Sequence, residues 1–352
     1  MLYNLNEYLK FALICSDYQE QKHYAHPSLD LNLLTPIFLN SLTRQQNIFT
    51  ANQEERKEII QTTFAQNSYY QSRVQKAENI FLAAEYLAKL NDRAAKELRL
   101  GTENEINYLP YESKDYPAPL KEIAHPPILI SYQGQLPSDK ELNKSIAVIG
   151  SRDCEEYGQN IAHSTGKIFS TDGWWNISGL ATGCDTHGHQ GSLAAQGLTG
   201  AVLAHGLAAD IYPPENKDLA ADILDSGGFL VSELAPSTSP APHFFTWRDR
   251  LQSGLTRAII VVETGKKGGT LHTINYALRQ DKQVYVWEPT TPSLLPHDKI
   301  EGNLILAGHK EAPTDFKIKS AQRLAKINTF SCPRKLKDSF DKLTVEELSF
   351  DF

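Results

Sequence analysis

Residues 146–287 predict an α/β fold, a mostly parallel sheet flanked by helices, with a helical domain in front of it. Three observations predict it. Short apolar runs alternate with stretches of helical periodicity across the interval. Several of the runs end in glycine-bearing turns. Glycine is absent from the first 100 residues, and all 21 glycines lie from Gly101 onward, so the N-terminal hundred lacks the usual residue of tight turns and close backbone approaches.

The elements follow in order. Ala83, Ala84, Tyr86, Leu87 and Leu90 recur at helical spacing. Residues 102–115 are polar and read as a linker. Prolines at 117, 119, 126 and 127 favour extended chain and turns, and 128–132 reads as a short strand. Ile146-Ala147-Val148-Ile149 is a buried strand ending at Gly150-Ser151-Arg152, and a helix is expected over 160–169. A second strand over 174–178 ends at Gly179, with helix over 192–196. A third over 201–204 ends at His205-Gly206, with helix over 219–224. Strands follow at 229–233 and 258–262, then a helix over 270–279 and a strand over 283–287. Such alternation implies a parallel sheet with crossover helices. Its ligands bind beyond the carboxyl ends of the strands. The expected domains are a helical one at 1–107, the α/β domain at 108–313 and a short tail at 314–352. The tail is basic over 317–337, with seven Lys or Arg and no acid, and acidic beyond.

The formal net charge is −7, so a site for nucleic acid has to be a local basic patch. Cys15, Cys154, Cys184 and Cys332 are scattered without CxxC pairing, which argues against a zinc site or a disulfide framework and fits a reducing compartment. No leader pattern of basic then apolar residues opens the chain, and no run of 18 apolar residues occurs. A cytoplasmic protein without a membrane partner is expected.

Four glycine-bearing loops are candidates for phosphate contact: Gly150-Ser151-Arg152, Ser178-Gly179, His205-Gly206 and Lys266-Lys267-Gly268-Gly269-Thr270. Small residues let backbone N–H groups approach phosphate oxygens, and a following helix adds its positive N-terminal end. Any one of these loops taken alone could equally be a plain tight turn. Arg152, Arg248 and Arg250 supply planar guanidinium forks. GxGxxG is missing after the first strand and GxxxxGK[ST] is missing throughout, which disfavours NAD, FAD and P-loop ATP. No cofactor, catalytic residue or metal ligand is expected. Asp185-x-His187-x-His189 would share a face on extended chain, but a structural role is preferred to metal. The basic run of the tail reads as a solvated face, or as a segment trailing along nucleic acid. Of the four tryptophans only Trp247, beside Arg248, is a candidate base-stacking platform.

These strings together resemble the DNA-processing protein A family, also called DprA or Smf. Ile146-Ala147-Val148-Ile149-Gly150-Ser151-Arg152 is similar to its opening V-G-S-R loop. The segment from Ser178 to His189 resembles S-G-L-A-x-G-I-D-x-x-A-H. The segment from Phe245 to Leu255 resembles F-P-x-R-N-R-I-I-S-G-L, with Asp249 in place of the usual asparagine. The match is collinear over roughly 190 residues. The resemblance implies a Rossmann-like fold, binding of single-stranded DNA, self-association as a homodimer, and delivery of the strand to the RecA recombinase during natural transformation. It implies no catalytic residue. The competing classes are a nucleotide-binding sensor and a phosphoribohydrolase-like enzyme of the same superfamily. The signature of the latter, G-G-x-G-T-x-x-E, would place an acid where this chain has Thr273, counted from Gly269-Thr270.

Overall fold

The computed structural model of the protein describes residues 1–16, 31–65, 71–290 and 297–349; the last three residues of the acidic tail lie outside them. The chain divides into two compact units. The first comprises 1–133 with 204–210 and 232–241, and the second 134–203, 211–231 and 242–352.

The first unit carries helices α1 (Leu5–Ser16), α2 (Leu31–Thr43), α3 (Gln53–Phe64), α4 (Gln71–Phe81), α5 (Ala84–Glu103) and the short α6 (Ala118–Lys121). The helical expectation for the N-terminus thus holds, and the helix read from Ala83 to Leu90 is the first half of α5. Its core is aromatic. Phe11 packs edge-on against Tyr3, Phe38 and Phe49 at centroid separations of 5.3, 5.2 and 4.8 Å. Such pairs contribute about 0.5–1.5 kcal/mol each beyond their area. The stretch read as a linker is not one. Within it, β1 (Asn107–Pro110) pairs antiparallel with β2 (Leu129–Gly134), Asn107 opposite Tyr132 and Pro110 opposite Leu129. The four-residue strand is hidden by the polar residues on either side of it.

The second unit holds seven parallel strands: β3 (Ser145–Ile149), β4 (Trp175–Ser178), β5 (Thr199–Val202), β6 (Phe229–Ser232), β7 (Ala258–Val261), β8 (Gln283–Trp287) and β9 (Ile327–Phe330). Their spatial order is β6-β5-β4-β3-β7-β8-β9. The chain therefore winds outward from β3 in one direction, returns to β7 on its other side and winds outward again. That reversal is a topological switch point, where open parallel sheets bind ligands. The accompanying helices are α7 (Asp139–Leu142), α8 (Glu156–Thr171), α9 (Cys184–Ala194), α10 (Lys217–Asp225), α11 (Pro242–Gly254), α12 (Thr270–Arg279), α13 (His297–Leu306), α14 (Ala321–Leu324) and α15 (Pro333–Ser349).

The period-two alternation of strands divides the core between the two faces of the sheet. Ile146, Val148, Ile260 and Val262 pack with Phe169, Trp174 and Phe340 on one face. Ala147, Ile149, Ile259, Val261 and Val284 pack with Leu271, Ile274 and Phe316 on the other. The α8–α9 contact is set by small residues. A Cβ on Gly191 would lie 2.0 Å from the His163 carbonyl oxygen, and one on Gly166 would lie 2.1 Å from that of Gly188. Only glycine lets the two backbones approach this closely.

The sequence places α9 too late. It starts at Cys184, directly after the glycine loop, and not at 192. Asp185, His187 and His189 therefore lie on a helix. At about 100° per residue, Asp185 and His189 share a face while His187 turns away. His189 is fully buried, with Nδ1 2.6 Å from the Thr199 hydroxyl, and burial pulls its pKa down to about 3.

Candidate functional site

The carboxyl ends of β3 and β7 open onto a cleft of about 650 Å³. Its walls come from loops that the strand ends present. The Ser151 amide donates to the Glu263 carbonyl at 2.7 Å, tying the loop after β3 to the one after β7. The Thr270 hydroxyl donates to the Gly150 carbonyl at 3.0 Å, tying the start of α12 to the same place. Gly150, Ser151, Arg152, Gly268, Gly269 and Thr270 all line the cleft. Gly269 and Thr270 open α12, so the start of the helix and the positive end of its dipole sit at the wall.

The rest of the wall is one face of α11. Phe245, Arg248, Asp249 and Gln252 stand at positions i, i+3, i+4 and i+7, fall on one side of a helix and all line the cleft. Trp247 and Arg250 fall on the opposite side. Trp247 packs against His243 and Phe244 at 4.9 and 5.6 Å and does not line the cleft, and Arg250 is buried away from it. The aromatic ring that does line it is Phe245. The Arg152 guanidinium lies 5.0 Å from the centroid of that ring, and the Tyr212 ring meets its other side at 5.5 Å. Arg152, Gly179, Tyr212 and Phe245 also enclose a smaller pocket of about 50 Å³.

The remaining predicted residues divide. Lys267 lines the cleft and is paired with Asp315 at 2.8 Å, whereas Lys266 turns to Glu301 at 3.2 Å and does not line it. Ser178 is fully buried; its hydroxyl donates to the Val148 carbonyl and accepts from Gln252, so it holds the floor from beneath. Gly179 donates its amide to Asp185 Oδ2 at 2.9 Å. Gly206 belongs to the first unit, donates to the Thr238 carbonyl and is not among the lining residues.

Phe245, Lys317, Tyr212 and Thr273 are among the lining residues that escaped the sequence reading. Lys317 Nζ donates to the Gly268 carbonyl at 2.9 Å and lies 2.6 Å from His272 Nε2, bringing a cation from the expected tail back to the glycine loop. Spacing on α11 could have found Phe245. Nothing local in the sequence marks Lys317, because its position depends on the fold of the tail.

Electrostatics at the floor centre on Arg248. It is buried, donates through Nη1 to the Val202 carbonyl at 2.9 Å and has Nε 3.5 Å from Asp249 Oδ1. Asp185 and Asp249 are also buried and share this one cation. Burial raises both carboxyls. Asp185 is held down by Arg248 and by the Gly179 amide, while Asp249 is pushed up to about 7, chiefly by burial, with Arg248 opposing and Asp185 adding to it.

A family model described as DNA recombination-mediator protein A matches residues 107–314. This chain belongs to that family. Among its relatives, the DNA processing protein DprA of Bacillus subtilis (strain 168) is 37% identical over 183 residues, 52% of this chain and 61% of the relative. Protein Smf of Escherichia coli (strain K12) is 34% identical over 177 residues, 50% of this chain and 46% of the relative. The aligned part thus spans about half the length of these relatives. The X-ray structure of DNA processing protein A from Streptococcus pneumoniae covers 91% of this chain and 96% of its own, at TM-score 0.65 and 22% identity. That of DNA processing protein A from Helicobacter pylori covers 68% and 98%, at TM-score 0.55 and 19% identity. Both share the fold. Among the described residues no helix is long and apolar enough to cross a membrane.

Proposed function

We propose that the cleft binds single-stranded DNA by its phosphodiester backbone, and that the protein is a recombination mediator and not an enzyme. The observation that carries this reading is the Arg152–Phe245 pair at an open cleft walled by glycine amides. A guanidinium beside an aromatic face supplies a phosphate clamp and a stacking surface together, the combination by which single strands are held without sequence preference. Lys267, Lys317 and the start of α12 extend the positive wall. The Helicobacter pylori relative has a single-stranded DNA binding mode described as unique, and the Bacillus subtilis and Streptococcus pneumoniae relatives are DNA processing proteins. Membership of a recombination-mediator family supports transfer of the strand to RecA during natural transformation, by a homodimer in the cytoplasm. The non-enzymatic reading is supported by Thr273, which stands where the phosphoribohydrolase signature, counted from Gly269-Thr270, would carry its acid.

Titration of a fluorescent oligonucleotide is expected to show tighter binding of single strands than of duplex, with affinity falling as salt rises by roughly 0.7 in log–log slope per phosphate neutralised. The same preparation is expected to stimulate RecA strand exchange on strands coated with single-strand-binding protein. Equal affinity for duplex rejects the binding reading. Firm single-strand binding without stimulation rejects the mediator role alone.

A further inference from the structure

Asp249 stands out among the cleft residues. A carboxylate is the wrong group to meet a phosphodiester, yet this one lines the cleft between two arginines of the wall, Arg152 and Arg248. The charges that face it come from every side. Arg248 is its neighbour on α11, Asp185 comes from α9, Arg152 from the loop after β3 and Lys317 from the tail. From α12, the Thr273 hydroxyl hydrogen-bonds to it and His272 lines the same cleft. His272 is held neutral, by burial first and by Lys317 second.

Arg248 serves two buried carboxylates, and the charge on Asp185 disfavours one on Asp249. Asp185 accepts the Gly179 amide at 2.9 Å, a bond that favours its ionised form, and it therefore has the stronger hold on the negative charge. Asp249 lines the same cleft without such an amide, so its charge is the more readily neutralised. The lining residues include four cations, Arg152, Arg248, Lys267 and Lys317, against three carboxyls, Asp153, Asp185 and Asp249. Neutralising one carboxyl doubles the excess positive charge from one to two.

We propose that Asp249 contacts the bound backbone as a hydrogen-bond donor, so that seating a phosphodiester against it draws one proton from solvent onto its carboxyl. This rests on the single-strand reading above and adds a chemical requirement to it. A phosphodiester has no proton of its own at neutral pH and can only accept. An ionised carboxylate beside it would face it with two acceptors and a like charge. A protonated one donates, and leaves both arginines to the phosphate. The sign follows directly. Burial already lifts the free carboxyl to about 7, and the incoming phosphate lifts it further. Binding therefore takes up a proton above neutrality and none well below it.

The test is calorimetric titration of the whole protein with an oligo-dT strand between pH 6 and 8.5, in two buffers of different ionisation enthalpy. For the wild type, the binding enthalpy above pH 7 is expected to differ between buffers by the amount for about one proton, and affinity to fall up to about tenfold per pH unit, the limit for a one-proton linkage. Asp249→Asn is expected to bind at pH 8 at least as tightly as the wild type, with no buffer dependence. Carboxyl-carbon NMR of the wild type, with and without oligo-dT, reports the protonation of Asp249 even if that variant does not fold. Proton uptake that persists in Asp249→Asn and disappears in His272→Gln overturns the assignment. Wild-type binding with identical enthalpies in both buffers at pH 8 overturns the inference and leaves single-strand binding standing. No binding at any pH overturns both.

Discussion

Replacing Arg152 with alanine is expected to weaken single-strand binding by ten- to a hundredfold, whatever the base sequence. The residue sits at the carboxyl end of the central strand β3, where the loop after it and the Gly268–Gly269 turn face the same cleft. Its guanidinium lies 5.0 Å from the Phe245 centroid, which fixes the plane of the fork without occupying its hydrogen-bond edges. A hydrogen bond to a charged group contributes about 1.5–3 kcal/mol, which converts to about that range of affinity. Loss of one phosphate contact also lowers the salt slope by roughly 0.7. Arg152→Lys separates charge from geometry: it keeps the slope but loses part of the affinity, because an ammonium has no planar fork. Anisotropy titrations at four salt concentrations measure both quantities. An alanine variant with unchanged affinity and slope would remove Arg152 from the interface.

Much of the second unit was legible because its buried strands are continuous apolar runs closed by glycine. The helix over Thr270–Arg279 and the strand over Gln283–Trp287 appear where periodicity places them. The misread parts are those where tertiary partners decide. The strand at Asn107–Pro110 is only four residues long and half-exposed, and its pairing with Leu129–Tyr132 is invisible to local pattern. On α11 the residue types were legible but not which way they face. Arg248 and Arg250 read alike in the sequence, yet two positions on a helix differ by about 200°, so one reaches the cleft and the other does not. The same geometry exchanges Trp247 for Phe245 as the ring in the cleft. Gly206 follows a strand like the other glycines, but its segment, 204–210, returns to the first unit.

The tail was the least legible part, and it yields the largest expected loss of stability. Read as a basic stretch followed by an acidic one, residues 317–349 instead complete the second unit. β9 extends the sheet beside β8, with Phe330 opposite Trp287, and α15 closes one face. Phe340 is fully buried there. Its ring meets Phe169 and Trp174 edge-on at 5.4 and 5.2 Å and tilts against Tyr285 at 5.1 Å. One turn earlier, Lys337 is 1% exposed, with Nζ 2.9 Å from Asp172 and 2.6 Å from Asp341, so even its basic residues are fixed to the domain. Phe340→Ala removes a ring from the centre of this cluster and leaves a cavity that rings on three sides cannot readily fill. Such a change costs about 3–5 kcal/mol, a large share of the 5–15 kcal/mol that typically holds a domain together. Lys335→Ala, two residues before the buried lysine and exposed, is expected to change stability by no more than about 0.5 kcal/mol. Urea unfolding of the two variants beside the wild type measures the contrast. A loss below about 1 kcal/mol for Phe340→Ala would mean that α15 is dispensable to the sheet.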